Sequence, residues 1–179
     1  MQNAYKVVFD LGQQSTAFDG EMIPLLILPA VGLLLVIVPQ KTVDRILPNG
    51  PKGILGKLFA LCFFGFTSFV AGSWLLSHNE QANALKSAEK AGRLSVVEGC
   101  LQHFHPMPET GHDEEQIEVG GQVFTYSDYI ETTPAFNRTE SHGGPIHADS
   151  KVRLAFSGND IVRVEVQQKA CPPAPEFPK

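Results

Sequence analysis

Histidine and acidic side chains are concentrated in the C-terminal half of the sequence, and both residue types bind metal ions. His103 and His105 alternate on a predicted strand, so their side chains project from one face. His112 opens an acidic run, and His142 and His147 lie further along. Imidazole and carboxylate ligands suit zinc, but no spacing here matches a known metal motif and no cysteine joins the group. We therefore interpret the acidic run as a solvated loop, and we predict no metal and no other cofactor.

A second group of residues could perform hydrolysis or bind a ligand. Asp128, Ser141 and His142 are the residue types of a hydrolytic triad. No nucleophile-elbow motif accompanies them, and the side chains of adjacent serine and histidine diverge, so we predict no catalytic residue. Aromatic side chains beside polar ones favour a binding groove instead. The predicted ligand-binding residues are Tyr126, Asp128, Tyr129, Asn137, Arg138 and His142.

The charge of this half of the chain limits its partners. Residues 94–171 contain 12 aspartates and glutamates against 5 lysines and arginines. A net negative domain repels the phosphate backbone, so we predict that the protein does not bind nucleic acid.

Two uncharged apolar runs precede the charged half of the chain. Residues 22–38 form the first, of 17 residues, and residues 58–77 form the second, of 20 residues. A bilayer core about 30 Å thick needs roughly 20 apolar residues in a helix. Both runs are therefore predicted to be transmembrane helices, with the lipid bilayer as their surroundings. The segment before the first run is acidic and no small-residue cleavage site follows it, which argues against a signal peptide.

The segment between the two runs is basic. Residues 39–57 contain Lys41, Arg45, Lys52 and Lys57 against the single acid Asp44. The positive-inside rule places such a loop in the cytoplasm, so that both chain termini lie outside.

The second apolar run has a face of small residues at helical spacing. Gly65, Ser68 and Gly72 are three and four residues apart, and small residues allow close approach of helices in lipid. We expect this face to meet the first helix, a second copy of the chain or another membrane protein. Residues 78–93 are rich in helix formers and are predicted to continue the helix as a stalk.

The remainder of the chain follows the period of two that is typical of strands. Five short strands between residues 94 and 171 predict a small all-β domain, either a five-stranded barrel or a rolled sheet of the OB-like or SH3-like kind. Residues 1–21 are interpreted as an N-terminal tail, with a brief strand or interfacial segment near Tyr5. The proline-rich residues 172–179 are predicted to be disordered.

Cys100 and Cys171 are the two cysteines outside the membrane runs. Cys100 lies on the first predicted strand of the domain and Cys171 follows the last. Because the first and last strands of a closed barrel pair, we predict a disulfide between them in an oxidising compartment. Two unrelated buried thiols are the alternative.

The layout of the chain resembles that of small uncharacterised bacterial membrane proteins. The residues that carry this resemblance are Tyr5-x-x-x-Phe9-Asp10, Val97-Glu98-Gly99, Phe124-x-Tyr126-Ser127, Gly143-Gly144-Pro145-Ile146 and Val152-Arg153. The resemblance implies a bacterial inner membrane, no known activity and no catalytic residues. Together with the patterns above, it leads us to expect a membrane-anchored interaction module with a periplasmic C-terminal domain. The alternatives are a metal-dependent or hydrolytic enzyme and an accessory subunit of a larger membrane complex.

Overall fold

A computed structural model describes residues 4–14, 23–46, 48–111, 113–129 and 133–177. The chain divides into two compact units. One combines Met1–Gln14 with Glu80–Lys179, and the other is Ser15–Asn79. We call the first the β unit and the second the helical unit.

Three helices are described, and one of them is long and apolar. α1 spans Ile23–Ile37, α2 spans Gln40–Ile46 and α3 spans Gly53–Lys90. α3 has 38 residues and measures about 57 Å. Among the described residues it alone has the length and composition to cross a membrane, and only 22% of its apolar segment is buried. α1 is apolar but has 15 residues, about 22 Å of helix, so the predicted pair of spanning helices is not confirmed.

Within the helical unit, α1 and α3 run antiparallel and touch at two places. A side chain added at Gly32 would lie 2.9 Å from Cα of Phe64, so the two backbones approach closely there. Further along, Nζ of Lys57 donates hydrogen bonds of 2.8 Å to the carbonyl oxygens of Val36 and Val38. These carbonyls lie at the C-terminal end of α1, where helices leave carbonyl groups unpaired and favour a positive charge.

The predicted small-residue face of α3 does not make this contact. Nothing among the described residues lies within 4 Å of a Cβ placed at Gly65 or Gly72. The first of the expected partners, α1, therefore meets α3 elsewhere, at Phe64. A second copy of the chain or another membrane protein remains a proposal for this open face.

Replacing Gly32 by valine should separate the two helices. The added side chain must displace backbone at Phe64, and overpacking of this kind costs about 1–3 kcal/mol. Gly65→Val is the matched control, because it adds the same side chain in open space on α3. Thermal unfolding of the helical circular dichroism signal in detergent should show a lower midpoint for Gly32→Val alone. Equal midpoints for the two variants would contradict the packing.

Among the described residues of the β unit, seven strands form two antiparallel sheets. The strands are β1 Lys6–Asp10, β2 Ser95–Cys100, β3 His103–His105, β4 Glu115–Val119, β5 Gln122–Tyr126, β6 Lys151–Ser157 and β7 Asp160–Gln167. The four-stranded sheet has the order β1-β7-β6-β2, and the three-stranded sheet has the order β3-β4-β5. β4 with β5 and β6 with β7 form hairpins, with positive φ angles at Gly120, Gly121 and Gly158 in their turns.

The predicted five-stranded barrel is wrong, because neither described sheet closes. A barrel requires the two edge strands of one sheet to pair, whereas β1 and β2 are separate edges of the larger sheet. The sheets instead share one apolar core. Residues from both contribute, among them Phe104, Ile117 and Phe124 from the smaller sheet and Leu154 and Val164 from the larger.

β1 was not part of the predicted domain. It pairs with β7 in antiparallel register, Lys6 opposite Val166 and Asp10 opposite Arg163. The hydroxyl of Tyr5 donates a 2.9 Å hydrogen bond to Glu98 on β2, at the far edge of the same sheet. Partial burial and this bond to a carboxylate raise the pKa of Tyr5 to about 12. The N-terminal segment is therefore an integral strand of the β unit.

The end of α3 also belongs to the β unit. Leu85 lies in the shared apolar core, and Nζ of Lys86 donates to the carbonyl oxygen of Gln14. Part of the segment predicted as a free stalk thus packs on the domain that it was expected to hold at a distance.

The Cys100–Cys171 disulfide is confirmed, with the two Cα atoms 5.8 Å apart. The strand pairing expected to bring them together is absent, because β2 pairs with β6 and not with β7. Cys100 lies opposite Lys151 at the start of β6, and the amide of Cys171 donates to the carbonyl oxygen of Asp149 just before it. The N-terminal end of β6 therefore brings the two sulfurs together.

The described part of the C-terminal tail, residues 172–177, was predicted to be disordered but is held on the domain. Ala174 donates its amide to the carbonyl oxygen of Ala148, and the carbonyl oxygen of Pro175 accepts from the amide of Phe104 on β3. The ring of Phe177 lies 5.2 Å from that of His103. Prolines lack amide donors, but their carbonyls and the intervening alanine still form main-chain bonds.

Candidate functional site

An aspartate and a histidine from different segments meet beside the smaller sheet. β5 ends at Tyr126, and Asp128 follows in the next turn. A single turn of 3-10 helix, Glu140–His142, brings His142 towards it. Oδ2 of Asp128 lies 2.6 Å from Nδ1 of His142 and accepts a 3.0 Å hydrogen bond from the buried hydroxyl of Thr139.

This contact determines what the imidazole can do. A carboxylate on Nδ1 favours the tautomer with its proton there and leaves the lone pair on Nε2, which is the arrangement of a general base. A nucleophile is also needed for hydrolysis. Among the described contacts, Oγ of Ser141 lies 3.3 Å from the Thr139 hydroxyl and is not bonded to His142. The geometry therefore provides an oriented, half-exposed imidazole without an assembled triad.

Glycines allow the loop to close around this pair. Gly143 has a φ of 82° and ends the 3-10 turn, and Gly144 donates its amide to the carbonyl oxygen of Thr139 at 2.7 Å. A Cβ at Gly144 would collide with the backbone of Thr139. The glycine pair is therefore required by the fold of the loop.

The other predicted ligand-binding residues are divided among several environments. The ring of Tyr129 is exposed and lies edge-on to His142, with centroids 5.7 Å apart. Arg138 is exposed, and its guanidinium forms no ion pair with any residue that the structure describes. Asn137 lines a separate cleft. Tyr126 is buried, so its ring belongs mainly to the core.

Glu115 is a buried carboxylate that the sequence analysis placed in the solvated loop. It is fully buried, and its two oxygens accept a 2.6 Å hydrogen bond from the Tyr126 hydroxyl and a 2.8 Å bond from the amide of Glu140. Burial raises the pKa of the Glu115 carboxyl, because removal from water disfavours the charged form. Burial and the nearby Glu115 carboxylate also raise the pKa of Tyr126. Through its bond to the Glu140 amide, Glu115 attaches the loop of His142 to the smaller sheet.

A strand pattern in the sequence could have revealed this burial. Glu115 lies two and four residues before Ile117 and Val119, so in a strand it shares their inward face. The interpretation of the acidic run as a solvated loop left Glu115 outside the strand.

The described histidines outside the α-helices each pair with a single carboxylate. His103 lies 2.7 Å from Glu118, and His147 lies 2.7 Å from Glu140. His105 lies 3.5 Å from Asp113. Among the described residues, no three histidine, cysteine or acidic side chains converge on one point. His112, the remaining candidate ligand, lies outside the described residues.

A cleft of about 200 Å³ opens in the β unit. Its walls are the end of β5, residues 133–137 and the turn that joins β6 to β7. Of the predicted ligand-binding residues, Tyr126 and Asn137 line this cleft. The β6–β7 turn was not expected beside them, because it is distant in the chain from residues 125–137.

No protein-family description, no curated protein and no solved structure matches this chain. Its function must therefore be argued from its own residues.

Proposed function

We propose that the protein is a membrane-anchored binding module whose helical unit lies in the bacterial inner membrane and whose β unit faces the periplasm. The observation that carries this proposal is the contrast between the two units in exposed apolar surface. Large apolar side chains of the β unit are exposed only singly, at Val7, Val96, Val123 and Tyr129 among the described residues. The helical unit exposes a nearly continuous set: Ile27, Leu28, Val31, Leu33, Leu34, Ile37, Ile46, Ile54, Leu55, Leu58, Phe59, Leu61, Phe66, Phe69, Val70 and Leu76.

Such a surface is unfavourable in water. Soluble proteins rarely expose contiguous apolar patches beyond a few hundred Å², whereas lipid accepts them at no cost. Main-chain groups in lipid must be paired internally, which the helices achieve. The low burial of the apolar part of α3 argues against a core helix of a soluble protein.

The pairing of β1 with β7 supports two crossings of the membrane. β1 precedes the helical unit in the chain and β7 follows it, yet both belong to one sheet. Two strands in one sheet must lie on the same side of a bilayer, so the intervening chain crosses an even number of times. If α3 crosses, the segment containing α1 must cross as well. Local thinning of the bilayer would compensate for the short α1.

Two further features support a periplasmic β unit. The basic segment between α1 and α3 favours the cytoplasmic side by the positive-inside rule. The disulfide favours an oxidising compartment for Cys100 and Cys171.

Cysteine labelling in intact cells tests this arrangement. In a Cys62→Ala background, single cysteines replace Gln13, Asn49 and Glu109, all of which are exposed. A membrane-impermeant maleimide should label positions 13 and 109 in intact cells, and position 49 only after the cells are permeabilised. Positions 13 and 109 should always agree, because β1 and β7 share a sheet.

Each of three other results would contradict a different part of the proposal. Labelling of position 49 alone would reverse the orientation. Recovery of the whole chain in the soluble fraction would overturn the membrane location. Disagreement between positions 13 and 109 would contradict the even number of crossings.

A further inference from the structure

The cleft of the β unit has walls that hydrogen bonds hold together. The hydroxyl of Thr133 donates a 3.0 Å bond to Asp160, and the amide of Phe136 donates a 2.9 Å bond to the carbonyl oxygen of Ile161. Nδ2 of Asn159 donates a 2.9 Å bond to the carbonyl oxygen of Thr125 on β5. Residues 133–137 and β5 are thus each bonded to the β6–β7 hairpin. These bonds hold the walls of the cleft in place, which lowers the entropic cost of binding a ligand.

The lining of this cleft has a consistent chemistry. Tyr126 and Phe136 are among its lining residues, and their rings are in edge contact with centroids 5.2 Å apart. Two acids, Glu114 and Asp160, and the amide of Asn137 lie among the lining residues. Among the described residues no lysine, arginine or histidine lines the cleft.

We propose that this cleft binds a small organic cation, a protonated or quaternary amine with a compact apolar body. The inference rests on the proposed role as a binding module and names the class of its ligand.

The charge and size of the cleft select this class. Two carboxylates without a neighbouring cation attract positive charge and repel anions. One oxygen of Asp160 is bonded to Thr133, and the second is available to a ligand. The aromatic part of the lining provides apolar contact for the body of such a ligand. A volume of about 200 Å³ lies below the roughly 300–1,000 Å³ of pockets for drug-sized ligands, so the ligand is small.

Titration of the full chain with choline tests the proposal. The chain is kept in a neutral polyoxyethylene detergent, because phosphocholine detergents would compete. Isothermal titration calorimetry should show saturable 1:1 binding of choline. The neutral isostere 3,3-dimethyl-1-butanol should bind at least about tenfold more weakly than choline, since it lacks the charge that the carboxylates recognise.

Variants locate the site. Asp160→Asn should weaken choline binding about tenfold, as expected for the loss of one charged contact. Ala135→Leu should abolish binding by filling the cleft, while circular dichroism shows that the fold is retained. Glu109→Gln is the matched control, because it removes the same charge at an exposed position outside the cleft.

Three results would overturn the proposal: no saturable binding of choline, equal binding of the neutral isostere, or full binding by Ala135→Leu. These results are independent of the labelling experiment. Choline binding by a β unit that proves cytoplasmic would support the cation site and contradict the periplasmic location. A periplasmic β unit that does not bind choline would contradict the cation site alone.

Discussion

Replacing Glu115 by alanine should destabilise the β unit by about 3 kcal/mol. The substitution leaves the buried Tyr126 hydroxyl and the Glu140 amide without an acceptor, and each unpaired buried donor costs about 1–3 kcal/mol. Since domains are stable by only about 5–15 kcal/mol, this loss is a large fraction of the total. Pulse proteolysis of the chain in urea measures it. The neighbouring exposed residue gives the control, and Glu114→Ala should change stability by less than about 0.5 kcal/mol.

The same carboxyl should make stability depend on pH. Because the pKa of Glu115 is raised in the folded chain, the folded state holds this proton more tightly than the unfolded state does. Its favourable contribution is therefore complete below the ordinary glutamate pKa and is lost as pH rises through the raised pKa. Glu115→Gln keeps the shape but does not titrate. The free energy of unfolding of wild type should fall relative to Glu115→Gln as pH rises over this window, and a constant difference would contradict the raised pKa.

Removing the disulfide should lower the free energy of unfolding of the β unit about as much as Glu115→Ala does. The bond closes a loop with a sequence separation of 71 residues, for which the chain-entropy relation gives about 4 kcal/mol. The double variant Cys100→Ser, Cys171→Ser should therefore unfold at a much lower urea concentration in pulse proteolysis. Reductant should shift wild type to the same midpoint and leave the double variant unchanged. Cys62→Ala removes the free thiol of α3 and is the control.

A second readout follows from the position of the tail. With the bond absent, the described tail keeps the main-chain bonds of Cys171, Ala174 and Pro175, the packing of Ala174 on the core and the contact of Phe177 with His103. Carboxypeptidase should then remove the tail faster than it does from the oxidised chain. Equal stability of reduced and oxidised protein would show that these contacts alone hold the two ends of the domain.

The features that were predicted correctly from the sequence either depend on residues close together in the chain or, as with the disulfide, involve only two residues. The apolar run within α3 is visible because a long helix depends on neighbours three and four residues apart. The β4–β5 and β6–β7 hairpins are visible because period-two alternation and glycines at the turns act within about ten residues. The disulfide was predicted from two cysteines near the ends of the domain, although the strand pairing invoked for it was wrong.

The tertiary structure decided everything that joins distant segments. The segment of β1 was predicted only as a brief strand or interfacial segment of a tail, because its place in the domain depends on its distant partner β7. The Asp128–His142 contact depends on a loop whose path is set by Thr139, Gly144 and the anchored Glu140 amide. The cleft likewise needs three separate segments. Local propensity determines which residues form helices and strands, but burial, edge pairing and register are properties of the packed core and are fixed only when the whole chain has folded.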